Sequence, residues 1–378
     1  MPNNLKCIKE EPMKKTNLVT ILFITLTFFG CDKKDSQGNW SSFRGNIQNT
    51  GYYSGNAPEK LSELKWKFKT ENKIFSSPAV SDGVVFFGSR DGYLYAVDLK
   101  TGQEKWKFKT EYMLESSPAI AEGLVFFGSN DDYLHAVDVK TGQEKWKFKT
   151  EGVIKSSPAV AEGLVFFGSE DNYLYAVDEK TGQEKWKFKT ERWVYSSPSI
   201  ADGMAIFGSF DNYLYAVNLK TGQEKWKFKT EDMVRSSPAI YKGMVFFGSW
   251  DNYLYAVDLK TGQEKWKFKT ERSVYSSPAV ADGLVFIGSF DQYLYAVDVK
   301  TGQEKWKFKT KKDIISSPAV ANGMVFFGSL DHYLYAVDEK TGQEKWKFKT
   351  EGGFFSSPAI YEGMVIFGNN DNYLYVVE

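Results

Sequence analysis

The stretch SSPAVSDGVVFFGSRDGYLYAVDLKTGQEKWKFKT, from Ser76 to Thr110, decides the fold, because close copies of it follow one another every 40 residues. Its Ser-Ser-Pro triplet returns at residues 116, 156, 196, 236, 276, 316 and 356. Within one copy, four short runs of β-branched, aromatic or alternating residues are separated by glycine-containing turns. This pattern predicts four strands and has no helical period. Four strands in a repeat of about 40 residues are typical of a β-propeller blade.

The count of strands predicts how the ring closes. The first three strands occur eight times, and the last copy ends at Glu378 without a fourth strand. A matching fourth strand lies in front of the first copy, from Leu64 to Thr70. We therefore predict an all-β protein, an eight-bladed β-propeller of four-stranded antiparallel blades, closed by the N-terminal strand. Lysines on the outer strand of each blade, such as Lys105 and Lys107, would protect that edge from pairing with other sheets.

Eight of the 11 tryptophans occupy one position of the repeat, in the fourth strand. A tryptophan at the same place in every blade is predicted to pack between neighbouring sheets, where it can bury about 150–250 Å². These structural tryptophans are Trp66, Trp106, Trp146, Trp186, Trp226, Trp266, Trp306 and Trp346.

The N-terminal region has the pattern of a targeting segment. Residues 17–29 form an uncharged apolar run of 13 residues that follows two lysines. Such a run is shorter than the about 20 residues that span a bilayer, and it is typical of a secretory signal peptide. It ends at Gly30-Cys31, which resembles a bacterial lipobox, although two phenylalanines depart from the usual pattern.

This pattern predicts a lipoprotein signal peptide over residues 1–30, with Cys31 as the lipidation site. Residues 31–39 are polar and are predicted to form a tether to the propeller of residues 40–378. The alternative is an uncleaved anchor helix with an incidental cysteine. The start codon stays open, because Met13 precedes the two lysines more closely than Met1 does.

Composition argues against several classes of protein. Lys and Arg number 48 and so do Asp and Glu, whereas a nucleic-acid-binding protein normally carries a basic excess. Two histidines cannot form the usual His-rich zinc or iron site, and two cysteines exclude a disulfide framework. The aspartate repeated in each blade, as at Asp91, is predicted to cap its own turn. The sequence thus predicts no catalytic residue, no metal and no nucleic-acid partner.

The copies differ from one another at two places in each blade. One is the four residues that lead into the first strand, which we call the variable links. The other is one residue in the turn between the second and third strands, which we call the variable turn position. Both places lie at the same end of an antiparallel blade, so one face of the disc is variable, and loops on a rigid scaffold often bind ligands. The variable links are residues 72–75, 112–115, 152–155, 192–195, 232–235, 272–275, 312–315 and 352–355, and the variable turn positions are Arg90, Asn130, Glu170, Phe210, Trp250, Phe290, Leu330 and Asn370.

Aromatic residues gather in blades four to six of this variable face, beside arginines at 192, 235 and 272. Exposed aromatics with arginines are typical of interface hot spots. Stacked aromatics could equally bind a sugar ring, and sequence drift could produce the same variation. The candidate binding residues are Trp193, Tyr195, Phe210, Arg235, Trp250, Tyr275 and Phe290.

The segment AVDLKTGQEKW, residues 96–106, resembles the tryptophan-docking motif of the pyrroloquinoline-quinone (PQQ) repeat, as do its six further complete copies. WSSFRGN at residues 40–46 is similar to the lead-in of such propellers. The resemblance covers about residues 40–378 and implies an eight-bladed ring. Some members of this family are quinoprotein dehydrogenases that bind PQQ and calcium. Others, the BamB-like lipoproteins, are non-enzymatic assembly factors for outer-membrane β-barrels.

Uniform spacing favours the second group. No interval between repeats departs from 40 residues, so no insertion is present to build a cofactor pocket, and the cysteine pair of many dehydrogenases has no counterpart. The resemblance implies a non-enzymatic binding scaffold without a cofactor, a monomeric ring anchored by lipid in the bacterial envelope, at the outer membrane. Its expected partner is a protein, as in a β-barrel assembly complex. The alternatives are a carbohydrate-binding surface lipoprotein and, with less support, a PQQ-dependent dehydrogenase.

Overall fold

The computed structural model describes residues 40–378; the segment with the predicted signal peptide, Cys31 and the tether lies outside the described residues. Eight sheets of four antiparallel strands form the blades, which confirms the predicted all-β, eight-bladed propeller. We number the blades one to eight from the one that begins at Ala79, and their strands A to D from the axis outward. Each A strand contacts the A strands of the neighbouring blades, and blade eight contacts blade one.

The strands have nearly the same bounds in every blade. The A strands are Ala79–Ser81, Ala119–Ala121, Ala159–Ala161, Ser199–Ala201, Ala239–Tyr241, Ala279–Ala281, Ala319–Ala321 and Ala359–Tyr361. The B strands are Val84–Gly88, Leu124–Gly128, Leu164–Gly168, Met204–Gly208, Met244–Gly248, Leu284–Gly288, Met324–Gly328 and Met364–Gly368. The C strands are Tyr93–Asp98, Tyr133–Asp138, Tyr173–Asp178, Tyr213–Asn218, Tyr253–Asp258, Tyr293–Asp298, Tyr333–Asp338 and Tyr373–Val377. The D strands are Glu104–Lys109, Glu144–Lys149, Glu184–Lys189, Glu224–Lys229, Glu264–Lys269, Glu304–Lys309, Glu344–Lys349 and, for blade eight, Leu64–Lys69.

Blade eight is completed from the front of the chain, as the strand count predicts. Leu64–Lys69 pairs antiparallel with Tyr373–Val377, with Leu64 opposite Val377 and Lys69 opposite Tyr373. The backbone N–H groups of Ser62 and Glu63 add two hydrogen bonds to the Glu378 carbonyl. The two ends of the propeller are therefore joined by a full strand ladder.

The hydrophobic core lies between neighbouring blades. Strands B and C bury side chains on both faces, so that Val85, Phe86 and Phe87 have no exposed surface. Each D strand instead alternates exposed lysines with an inward-facing Trp and Phe. The ammonium of Lys107 lies 5.2 Å from the ring centre of Tyr93, on the outer edge.

Each repeated tryptophan lies in the groove between two blades. All eight indole N–H groups donate to a backbone carbonyl at 2.8–3.1 Å, as Trp226 donates to Leu259 of the next blade. Trp346 instead donates to the carbonyl of Pro58, which precedes the closing D strand of blade eight. Under Trp226 lies Gly262, with φ at +68°, where a Cβ atom would come within 2.6 Å of the indole. The Lys-Thr-Gly turn therefore needs glycine for both its backbone and its packing.

Residues 40–63, which we call the lead-in segment, run along the inner strands of the ring. The segment contains a 3₁₀ turn, Phe43–Gly45, and a short strand, Tyr52–Tyr53, parallel to Ala319–Ala321. Its carbonyls accept backbone N–H groups from the A strands of six blades at 2.8–2.9 Å; the donors are Val80, Ile120, Ile200, Ile240, Val280 and Val320. The lead-in segment thus fills the centre of the ring below the Ser-Ser-Pro triplets.

Arg44 anchors the lead-in segment in the central channel of the ring, and this residue is only 2% exposed. Its guanidinium donates to the Pro278 carbonyl at 2.8 Å and to the Pro318 carbonyl. Burial lowers the pKa of Arg44 to about 9, so the group is still a cation at neutral pH.

Within residues 40–378, the structure contains no helix with the length and apolar character needed to span a membrane.

Candidate functional site

The variable links and the variable turn positions meet at one end of the ring. In every blade, the backbone N–H of the turn position donates to a carbonyl of the link at 2.9–3.3 Å, as Phe210 donates to Trp193. The two sets therefore form one continuous surface around the axis. We call it the variable face.

A belt of serines surrounds the axis just below this face. The second serine of each Ser-Ser-Pro triplet accepts the backbone N–H of its counterpart in the preceding blade at 2.9–3.0 Å. The circle closes where Ser357 donates to the hydroxyl oxygen of Ser77. The belt consists of Ser77, Ser117, Ser157, Ser197, Ser237, Ser277, Ser317 and Ser357.

Above the belt, the last residue of each variable link lines a funnel with a cavity volume of about 130 Å³. Phe43 of the lead-in segment also lines it, from the side where that segment fills the channel. The rim residues are Phe75, Glu115, Lys155, Tyr195, Arg235, Tyr275, Ile315 and Phe355. The funnel is therefore a blind pocket with six residue types at the eight positions of its rim.

The candidate aromatic residues form two clusters on the variable face. In the first, Trp193 stacks on Tyr195 with ring centres 5.6 Å apart, and Phe210 packs against Tyr195 at 4.6 Å. Only Trp193 is well exposed, at 43%, whereas Phe210 is buried at 7%. The expectation that all these aromatics are exposed is therefore wrong for Phe210, because its turn directs the ring beneath Trp193 and Tyr195.

The second cluster joins Trp250, Tyr275 and Phe290, with ring centres 5.7–6.4 Å apart. All three are partly buried. Arg235 connects the clusters, because its guanidinium carbon lies 5.1 Å from the ring centre of Tyr195 and 4.3 Å from that of Tyr275. The structure thus brings all seven candidate residues into one array.

Charges at the rim are paired with one exception. Glu115 lies 3.2 Å from Arg90, and Lys155 lies 3.0 Å from Glu170. Within residues 40–378, no carboxylate pairs with Arg235. Arg235 is therefore the unpaired cation of the funnel.

Both rim tyrosines have a raised pKa, for partly different reasons. The Tyr195 hydroxyl donates to the Glu170 carboxylate; burial and this bond raise the pKa of Tyr195. Burial likewise raises the pKa of Tyr275, and nearby Arg235 opposes that effect. Both tyrosines are therefore neutral at physiological pH, and their rings contact the guanidinium of Arg235.

The candidate residues predicted from sequence do not include the serine belt or five of the eight rim residues. The signal was available, because the belt serine is identical in eight copies and lies two residues beyond a position that is Phe, Glu, Lys, Tyr, Arg or Ile. Phe75 and Phe355 were missed because they are neighbours only after the ring closes, where their rings stack at 4.5 Å.

The repeated turn aspartates hold the blades together. Asp91 accepts the N–H groups of Tyr93 and Glu71 and the hydroxyl of Tyr95, at 2.9–3.1 Å. In blade two, His135 replaces that tyrosine and lies 3.2 Å from Asp131 and 2.8 Å from Glu144. Within residues 40–378, these three included, no three His, Cys, Asp or Glu side chains are grouped as metal ligands would be.

Comparison with known families gives two partial matches. Residues 60–153 match the family described as outer membrane protein assembly factor BamB. Residues 199–378 match the β-propeller of the beta-alanine-activating enzyme. No curated protein sequence matches the chain.

Many solved structures share the fold at low sequence identity. BamB from Moraxella catarrhalis is 15% identical, with a TM-score of 0.74, over 84% of this chain and 99% of that one. The computationally designed Ika8 protein is 21% identical, with a TM-score of 0.75, over 84% and 98%. Quinohemoprotein alcohol dehydrogenase ADHIIG from Pseudomonas putida HK5 is 16% identical, with a TM-score of 0.80, over 90% and 80%. The repeat motif, the partial match of residues 60–153 to the BamB family and the shared architecture together identify the chain as an eight-bladed β-propeller with the fold of BamB and of other PQQ-type propeller proteins.

Proposed function

We propose that this protein is a non-enzymatic binding scaffold of the bacterial envelope, and that its variable face binds a protein partner as BamB-like factors do. The observation that carries the proposal is the array of two aromatic clusters joined by Arg235. Trp, Tyr and Arg are the residues most enriched at interface hot spots. Their support is rigid, because each cluster rests on a turn that is hydrogen-bonded to its link.

The proposal includes no cofactor and no catalysis. The family's quinone enzymes need a calcium ion, which takes six to eight oxygen ligands. Glu115, the one carboxylate that lines the funnel, is already paired with Arg90, and Glu170 behind the rim is paired with Lys155. This donor set does not fit a calcium–quinone pair, which supports a scaffold over a dehydrogenase.

The triple variant Trp193→Ala, Trp250→Ala and Phe290→Ala is expected to lose its partner while the ring stays folded. Hot-spot aromatics cost about 2 kcal/mol or more each in binding when truncated. The measurement is a pull-down from native bacterial membranes, beside a melt followed by circular dichroism.

The matched control replaces Lys107, Lys147 and Lys187 by Ala, since these lysines are exposed on the outer strands and belong neither to the variable links nor to the variable turn positions. This control should retain both the partner and the melting temperature. A triple aromatic variant that still captures every partner would contradict the proposed surface.

A carbohydrate ligand is the second candidate, favoured by one observation. The exposed indole of Trp193 lies nearly parallel to Tyr195, at 20°, which offers a flat platform for a sugar ring. Retardation in polysaccharide affinity gels that Trp193→Ala abolishes would favour this candidate. Unchanged mobility in such gels would favour the protein partner over a carbohydrate ligand.

Lipid attachment is part of the same proposal and predicts the behaviour of Cys31→Ser. The variant should remain unlipidated and leave the membrane pellet, because the thiol is the acylation site. Palmitate labelling with fractionation measures this, and several acyl chains are needed for firm anchoring. Normal labelling of the variant would exclude Cys31 as the site.

A further inference from the structure

The funnel admits the end of a chain but not a chain that passes through. Phe43 lines its closed side, and the lead-in segment fills the channel beyond. Any ligand that reaches the serine belt must therefore enter and leave by the variable face. A terminal group satisfies this condition with the smallest loss of backbone hydration.

Arg235 gives the funnel an unsatisfied positive charge. Its guanidinium is held between the rings of Tyr195 and Tyr275, and no carboxylate within residues 40–378 pairs with it. A guanidinium fixed by stacking retains its fork of N–H donors, which matches the two oxygens of a carboxylate. A ligand with one anionic group would neutralise this charge.

The serine belt adds neutral donors below that charge. Each belt hydroxyl oxygen accepts a backbone N–H of the preceding blade. Its own proton has no acceptor among the described residues, although hydroxyl protons can rotate to a ligand. These hydroxyls can therefore donate to an anion that enters the funnel.

Across the funnel from Arg235, the rim is apolar. Phe75 and Phe355 stack at an interplanar angle of 9°, and Ile315 is buried at the same rim. An apolar side chain beside an anionic group would contact this wall and the Arg235 side at once. Those two features occur together in the last residue of a polypeptide that ends in an apolar amino acid.

We infer that the funnel captures the C-terminal residue of its protein partner, with the α-carboxylate at Arg235 and the apolar side chain against Phe75 and Phe355. The inference rests on the proposed function, because it names the part of the protein partner that enters the ring. It assigns Arg235 and the rim a specificity for chain ends, whereas Trp193, Trp250 and Phe290 hold the partner's surface.

The test uses short fluorescein-labelled glycine-serine peptides that end in phenylalanine, and fluorescence anisotropy with the full chain. The free carboxylate should bind about tenfold more tightly than the C-terminal amide, as expected for one charge-assisted contact. A third peptide, with an internal Asp beside Phe and an amidated end, should bind like the amide. Binding of that peptide as tightly as the free acid would overturn the choice of a chain terminus.

Arg235→Met should remove the preference for the free acid, and Arg235→Lys should keep part of it. The matched control is Lys312→Met, which removes an exposed cation from another variable link and should leave the preference intact. Equal binding of acid and amide by the parent protein, or an unchanged preference in Arg235→Met, would refute the inference. If partner capture still depends on Trp193, Trp250 and Phe290 in that case, only this inference fails and the proposed function stands.

Discussion

A variant that begins at residue 71 is expected to lose the closed ring, melt at a much lower temperature and self-associate. It lacks Leu64–Lys69, so Tyr373–Val377 becomes an open strand edge, which is a template for pairing with other chains. It also lacks the lead-in segment, which accepts N–H groups from the A strands of six blades. Each such N–H that stays buried without a partner costs about 1–3 kcal/mol.

Two shorter truncations separate the causes of this loss. A variant that begins at residue 40 keeps every hydrogen bond described above and should melt like the parent chain. A variant that begins at residue 63 keeps the closing strand but loses most of the lead-in segment, so it should be monomeric and less stable. Light scattering after size exclusion reports association, and thermal melts report stability. A monomeric residue-71 variant with the parent's melting temperature would show that closure does not depend on this strand.

The second large effect is expected for Trp226→Ala, with a loss of about 3–5 kcal/mol in the free energy of unfolding. The indole fills the groove between blades four and five, covers Gly262 and donates to the Leu259 carbonyl at 2.9 Å. Its removal leaves a cavity over a glycine whose backbone cannot collapse into it. Urea unfolding followed by circular dichroism measures the change.

Trp193→Ala is the matched control, because it deletes the same side chain from the same blade. Trp193 is 43% exposed on the variable face, so its loss should change the unfolding free energy by less than about 1 kcal/mol. Equal destabilisation by the two variants would mean that the groove tryptophans are not special supports of the ring.

The fold follows from sequence because its determinants are local and repeated. One 40-residue unit contains four strand patterns and their turns, and the count of units predicts that Leu64–Lys69 completes blade eight. The path of the lead-in segment could not be predicted in this way, because it occurs once. Arg44 bonds to Pro278 and Pro318, more than 200 residues away along the chain, and nothing near Arg44 in sequence identifies them.

The sequence predicts which residues belong to the candidate site better than it predicts how those residues are arranged. Comparison of the copies identifies Trp193, Tyr195 and Tyr275 as unusual, and the structure brings them together. Burial of Phe210 depends on how a turn is oriented, which one variable residue does not reveal. The free charge of Arg235 depends on what surrounds each rim charge: Lys155 pairs with Glu170 of its own blade and Glu115 with Arg90 of the preceding blade, whereas no carboxylate within residues 40–378 reaches Arg235.

The serine belt bears on how the chain can change size. Each blade donates one N–H to the hydroxyl oxygen of the next blade and accepts one N–H from the preceding blade, so the belt contacts are the same for every copy. If one repeat were duplicated in the gene, the belt serine of the added blade would form the same hydrogen bonds with its neighbours as every other belt serine does. The lead-in segment does distinguish the blades, because Trp40 bonds to Val80 of blade one and Gly51 to Val320 of blade seven. The lead-in segment, which occurs once within residues 40–378, is therefore the part of the propeller that is matched to a particular number of blades.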